Sequence, residues 1–216
     1  MADLGYFSQL QLPSWFPPQG EMVSLIEDLW NRRYPELYEE ENSRPPSRLE
    51  EAFQAVADLL AGAAGTARRH CLFAGWALAK ACEPTVEGWR PGDERPRLVE
   101  SAVRSWLESG ASQVQDWRPV FPEVVTPPQA LHEALDVFRN LARMLDSDDP
   151  RAALIEILED CFDGYAIVPG TQGKRDLFNW FLIEVLPAAW CLRLPDRIYT
   201  LKWPWPPPPP ETRQEG

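Results

Sequence analysis

The 216 residues carry a net charge of −12 at pH 7, from 33 acidic against 21 basic side chains, and 44% of them are hydrophobic. A chain of this length buries roughly 70% of the surface its unfolded form exposes, so it can hold a packed core without disulfide or metal staples. The acidic balance repels phosphate backbones and anionic lipid, which argues against nonspecific nucleic-acid or membrane binding and favours a basic partner.

The opening stretch MADLGYFSQLQLPSWF has no charged segment ahead of an apolar one, and no apolar run approaches about 18 residues, so neither a signal peptide nor a spanning helix is expected. Cys71, Cys82, Cys161 and Cys191 are widely spaced within apolar helical patterns, as buried thiols of a reducing compartment would be. The expected location is the cytoplasm, or the nucleus of a eukaryotic or virus-infected host.

Residues 1–20 are aromatic and punctuated by proline, and read as an extended arm. Over residues 21–34, Val23, Leu25, Ile26, Leu29 and Trp30 repeat at helical spacing until Pro35 stops them. The acidic connector ELYEEENSRPP follows. Ser47 with Glu50 three residues on predicts a capping box, and behind it Leu49, Ala52, Phe53, Val56, Leu59 and Leu60 form an apolar stripe. A largely buried helix over about residues 66–82 completes a helical hairpin, and EPTVEGWRPGDERP reads as a loop. Leu98, Val99, Ala102, Val103, Trp106 and Leu107 mark the next helix, closed by Gly110.

Thr126, Pro127 and Gln129 repeat the start signal ahead of a helix reaching about Leu145, with Leu131, Ala134, Leu135, Phe138 and Leu141 on its inner face. DSDDP then ends that helix and caps another, because acidic groups suit a helix N-terminus and Pro150 is preorganised for the first turn. Leu154, Ile157, Leu158 and Cys161 supply its buried stripe. The hairpin starting at Pro45 aligns faintly with that starting at Pro127, an offset of 82 residues that shared period and capping chemistry also produce. LFNWFLIEVLPAAWCL is apolar on nearly every side and is therefore central, with Pro187 expected to kink or end it. A two-stranded ribbon pairing YAIV with IYTLK is a minor addition.

The fold class is thus all-α: one domain of six to seven helices over residues 21–195, between an arm at 1–20 and a proline-rich tail at 196–216. The segment VPGTQGKRD resembles a phosphate loop only superficially, since Val168 stands where such a loop needs glycine and Arg175 where it needs Ser or Thr. It reads as a loop and helix start in which Lys174 and Arg175 are exposed, so that replacing both with Ala shifts stability by less than about 1 kcal/mol. The same N-terminus, with Thr171, Gly173, Lys174 and Arg175, is the candidate anion site.

No catalytic, cofactor or metal motif stands out. His70 and His132 lie on different helices without standard ligand spacing, and Asp160 and Asp163, though a conceivable catalytic pair, fit a solvated helix face. The reading is a non-enzymatic interaction or regulatory protein, adaptor- or inhibitor-like, that binds a basic protein surface through acidic and aromatic groups. Its candidate contacts are Trp15 and Phe16 in the arm and Tyr38, Glu39, Glu40 and Glu41 in the connector. Trp203 and Trp205, ahead of five prolines, offer a second contact to a polyproline-binding partner. Two alternatives stand: a small helical enzyme with an unconventional cleft, and an acidic mimic that blocks a nucleic-acid-binding protein.

Overall fold

A computed structural model describes residues 9–17, 20–39, 41–110, 116–121, 128–164 and 173–200. Within them the chain is all-helical, as the periodicity predicts, and carries no strand; the nearest approach is one isolated parallel bridge between Arg33 and Pro46. The elements in order are α1 (Gly20–Trp30), a 3-10 turn (Pro35–Leu37), α2 (Leu49–Ala61), α3 (Ala67–Trp89), α4 (Arg95–Ser109), α5 (Gln129–Met144) and α6 (Pro150–Gly164). A last rod joins α7 (Gly173–Trp180), a π turn (Phe181–Val185) and α8 (Leu186–Trp190). Among the described residues, no helix is long and apolar enough to cross a membrane. Of the suggested β-ribbon, residues 198–200 have no strand structure and YAIV lies outside the described residues.

The centre of the fold is an antiparallel α5–α6 hairpin with α3 laid across both helices. Its register is fixed by Glu133 against Gly164, Asn140 against Asp160 and Arg143 against Glu156. Gly75 lets α3 come this close: a Cβ there would stand 3.0 Å from Ile157 Cδ1 of α6 and 3.3 Å from Leu141 Cδ1 of α5. The start of α6 follows the local chemistry of DSDDP, with the Ala152 N–H donating to Asp149 Oδ1 at 3.0 Å. Gly110, at φ +74°, closes α4 in the left-handed conformation that a side chain resists.

Three local expectations are corrected. The loop expected after Cys82 is helix as far as Trp89: Pro84 deprives Lys80 of its carbonyl partner, but Pro84 faces solvent while Thr85 and Val86 continue the buried face. The Ser47–Glu50 capping box does not form. Ser47 Oγ instead donates to Glu51 at 3.1 Å, and the Leu49 N–H reaches the Glu36 carboxylate at 3.4 Å. The bridge of Arg33 to Pro46 has already fixed the chain's path into α2, with Ser47 N–H bonded to Arg33 O. Of the two outcomes expected of Pro187, the helix does not end there but runs on to Trp190. In the π turn just before the proline, the Leu186 N–H bonds back to Phe181 O, and this widened turn makes room for the ring. The start of α5 at Gln129 follows Pro128, while Thr126 and Pro127 lie outside the described residues.

Candidate functional site

The anion-site candidates resolve into something different. Lys174 and Arg175 are the second and third residues of α7, but only 6% and 8% of each is exposed, so the expectation of solvated charges is corrected. Arg175 donates to Asn179 Oδ1 (2.9 Å), Trp30 O (2.6 Å), Arg32 O (3.0 Å) and Glu39 Oε2 (3.2 Å). Its guanidinium lies within 6 Å of the rings of Trp30, Tyr34 and Phe178. This is a clamp that ties the end of α1 and the connector to α7, and its donors face protein acceptors. Lys174 Nζ sits 5.3 Å from the Tyr38 ring, with its pKa pulled down by burial. Gly173 accepts a hydrogen bond from Tyr199 Oη at its carbonyl, and Thr171 lies outside the described residues.

The proposed contact residues divide similarly. Phe16 is buried, and Trp15 is held from two sides: its indole N–H donates to Asp196 Oδ2 at 2.9 Å, and the Arg193 guanidinium stands 4.3 Å from its ring centroid. The described part of the arm therefore packs on the domain's own surface. Glu39 is occupied by Arg175 and by the Tyr34 N–H at 2.8 Å. Tyr38 and Glu41 are exposed. Glu40, Trp203 and Trp205 lie outside the described residues.

The outer side of the α5–α6 hairpin gathers His132, Asp160 and Asp163, which the sequence offers only separately, into one site. On α5, His132, Asp136, Arg139 and Arg143 recur at i, i+4, i+7 and i+11, a polar stripe on an otherwise largely buried helix, with Glu133 beside it. On α6, Glu156, Asp160 and Asp163 form the facing stripe. Asp136 is paired with Arg139 at 2.8 Å and with His132 at 3.3 Å. His132, Glu133 and Asp136 bring one ligand-type atom each within 4.8 Å of one another. They occupy about one turn of one helix, and His132 is exposed and already faces Asp136, so the group belongs to the acidic face.

Asp160 is the unusual member. Burial raises its pKa, the neighbouring Asp136 raises it further, and together with Glu133 and Glu156 they bring it to about 7, although Asn140 Nδ2 donates to its carboxylate at 2.8 Å. Glu133 is raised by burial and then by Asp136 and Asp163; Glu159 is raised by burial and then by Glu50, Asp163 and Glu156. Among the described residues, no cation counters the shift of Glu159. The folded chain thus keeps negative charge on α5, α6 and the start of α2 in excess of its local neutralisation.

The consequence for stability has a definite sign. Because the folded pKa of Asp160 exceeds its ordinary value of 3.8, the folded state binds the proton more tightly, and stability falls as pH rises from about 4 through 7. Asp160→Asn keeps an oxygen for Asn140 and removes the charge. It is expected to raise the melting temperature at pH 8 by several degrees and to change it little at pH 4, as followed by thermal unfolding at the two pH values.

The remaining chemical groups are internal. Cys82 and Cys161 face each other at 3.6 Å between α3 and α6 as free thiols, and the Cys82 thiol is pushed well up by that contact and by burial. His70 is buried against Trp190 and its pKa is lowered by burial, which makes it a packed neutral imidazole. Comparison with family models, curated proteins and solved structures finds no match to the chain.

Proposed function

We propose that the chain is a recognition module whose acidic face, centred on α6 and flanked by α5 and the start of α2, binds a basic surface on another protein. The observation that carries this reading is Asp160, an ionisable carboxyl kept among like charges where its ionisation opposes folding. Residues that cost stability are characteristically retained for function, and a cationic side chain arriving from outside would relieve the repulsion of Asp160 by Asp136 and Glu133 and that of Glu159 by Glu50 and Asp163. The net charge of −12 adds long-range attraction for the same partner. The recognition surface proposed from the connector moves accordingly, because Glu39 is spent on Arg175.

A helical enzyme is the second reading, favoured by the same carboxyl with a pKa near neutrality. The adjoining cleft, however, is lined by Asn140 and not by Asp160, so the carboxyl does not open into that cleft and binding is preferred.

The test compares two variants that each replace three carboxylates with amides. One carries Glu133→Gln, Glu159→Gln and Asp160→Asn; the control carries Glu21→Gln, Glu27→Gln and Asp28→Asn on the exposed side of α1. A partner captured by the native chain from its own host's extract should bind the first variant at least about tenfold more weakly and the control almost unchanged, with an affinity that falls as salt rises. Equal loss in both variants would reduce the effect to net charge and defeat the proposal.

A further inference from the structure

Cys82 on α3 and Cys161 on α6 meet sulfur to sulfur at 3.6 Å, each only 1% exposed, with the Cys82 thiol donating to Cys161 Sγ. Among the described residues, which include all four cysteines, this is the one contact between thiols. It follows from how the two helices are brought together. The missing side chain of Gly75 admits Ile157 of α6. About two turns further along the same face of α3, and one turn further along α6, the two thiols stand end to end. The sulfurs have only to close by roughly 1.5 Å to bond.

Buried thiols react only as fast as the surrounding structure opens, and both of these stand where their helix opens most readily. Pro84 has no N–H for the Lys80 carbonyl, so the turn of α3 that holds Cys82 lacks one rung, and Pro84 itself faces solvent. Cys161 lies in the last turn of α6, which ends at Gly164, and helix ends fray. The direction of the contact sets the order of the chemistry. Cys82 keeps its proton, through the contact with Cys161 and through burial, and donates it toward Cys161. The Cys161 sulfur accepts that hydrogen bond, which favours its thiolate, and it attacks first.

We propose that Cys82 and Cys161 form a redox switch, in which a hydroperoxide converts the facing thiols into a disulfide that pins the last turn of α6 to α3 and a dithiol reductant restores them. With hydrogen peroxide, the Cys161 sulfur attacks one peroxide oxygen. The S–O bond forms, the O–O bond breaks and takes up the sulfur's two electrons, and the departing hydroxide collects the thiol proton as water. The Cys82 sulfur then attacks the sulfenic sulfur, and the displaced hydroxide leaves with the Cys82 proton as a second water. The link joins residues 79 apart in the chain, a separation at which a cross-link strongly restricts the unfolded state. It holds the turn that carries Asp160 and Asp163, but does not depend on what binds the acidic face.

The experiment treats the reduced, folded full chain with hydrogen peroxide at neutral pH, removes the peroxide with catalase, and counts free thiols after unfolding. The count should fall from four to two, and digestion should yield a peptide that joins Cys82 to Cys161. The melting temperature should rise by about 5–10 °C and return on adding dithiothreitol. A chain carrying Cys71→Ala and Cys191→Ala should form the same link. In Cys82→Ala the link cannot form, and dimedone should tag Cys161 as its sulfenic acid. The proposal is overturned if the thiol count stays at four, if the oxidised cysteines are joined in any other pairing, if the link forms only after the chain has been unfolded in urea, or if dimedone finds no sulfenic acid at Cys161 in Cys82→Ala.

Discussion

Replacing Arg175 with Ala should lower stability by about 3–5 kcal/mol, read as a fall in the urea midpoint at unchanged slope. The side chain is nine-tenths buried and serves four acceptors on three separate stretches of chain. Its removal strands the Glu39 carboxylate, whose remaining cation, Arg44, stands 3.8 Å away, and leaves the Trp30 and Arg32 carbonyls without this donor. Arg175→Lys should recover little of the loss, because an ammonium on a flexible stem cannot span the same fork of acceptors or spread over the Trp30, Tyr34 and Phe178 rings. Glu39→Gln, which keeps an oxygen for the clamp, should cost less than Arg175→Ala. Equal stability of Arg175→Ala and the native chain would mean that α1 and the connector are not anchored on α7.

Leu182→Ala should cost about 2–5 kcal/mol, the range for a core leucine whose removal leaves a cavity that the surroundings cannot fill. Leu182 is fully buried in the π turn, in a rod whose residues from Leu177 to Ala189 are all buried. The constraint above Pro187 gives this turn little freedom to collapse, which places the expected cost in the upper part of that range. A urea midpoint within error of the native value would place the core elsewhere. The two effects should be nearly additive if the clamp and the rod's centre stabilise the fold independently.

What could be read directly from the residues was governed by local chemistry or uniform periodicity. Asp149 and Pro150 begin α6 as DSDDP implies, because a cap and a preorganised first turn depend only on neighbours. The last rod was recognisable as central because it is apolar all round. The failures share a cause in distant contacts. Arg175 reads as a surface charge at a helix start, since its acceptors Trp30 and Glu39 are 145 and 136 residues away. Ser47 and Glu50 have the right spacing for a cap, but the pairing of Arg33 with Pro46 sets the entry to α2 first. Pro84 ends a helix by the local rule, and the burial of Thr85 and Val86 overrules it.

The acidic site was half legible. The polar stripe His132, Asp136, Arg139 and Arg143 can be found by period alone, and Asn140 is conspicuous as a polar residue among apolar ones. Only packing brings that stripe to Asp160 on the next helix, and only burial there converts an ordinary aspartate into one that resists ionisation.

That resistance is the centre of the account, and a pH titration of the Asp160 side-chain carboxyl by carbon-detected NMR measures it directly. The expected midpoint is about 7, shifted toward the ordinary value when a basic partner occupies the face. A midpoint near 4 in the free protein would show a carboxylate at ease in solvent, with no unrelieved charge for a partner to meet.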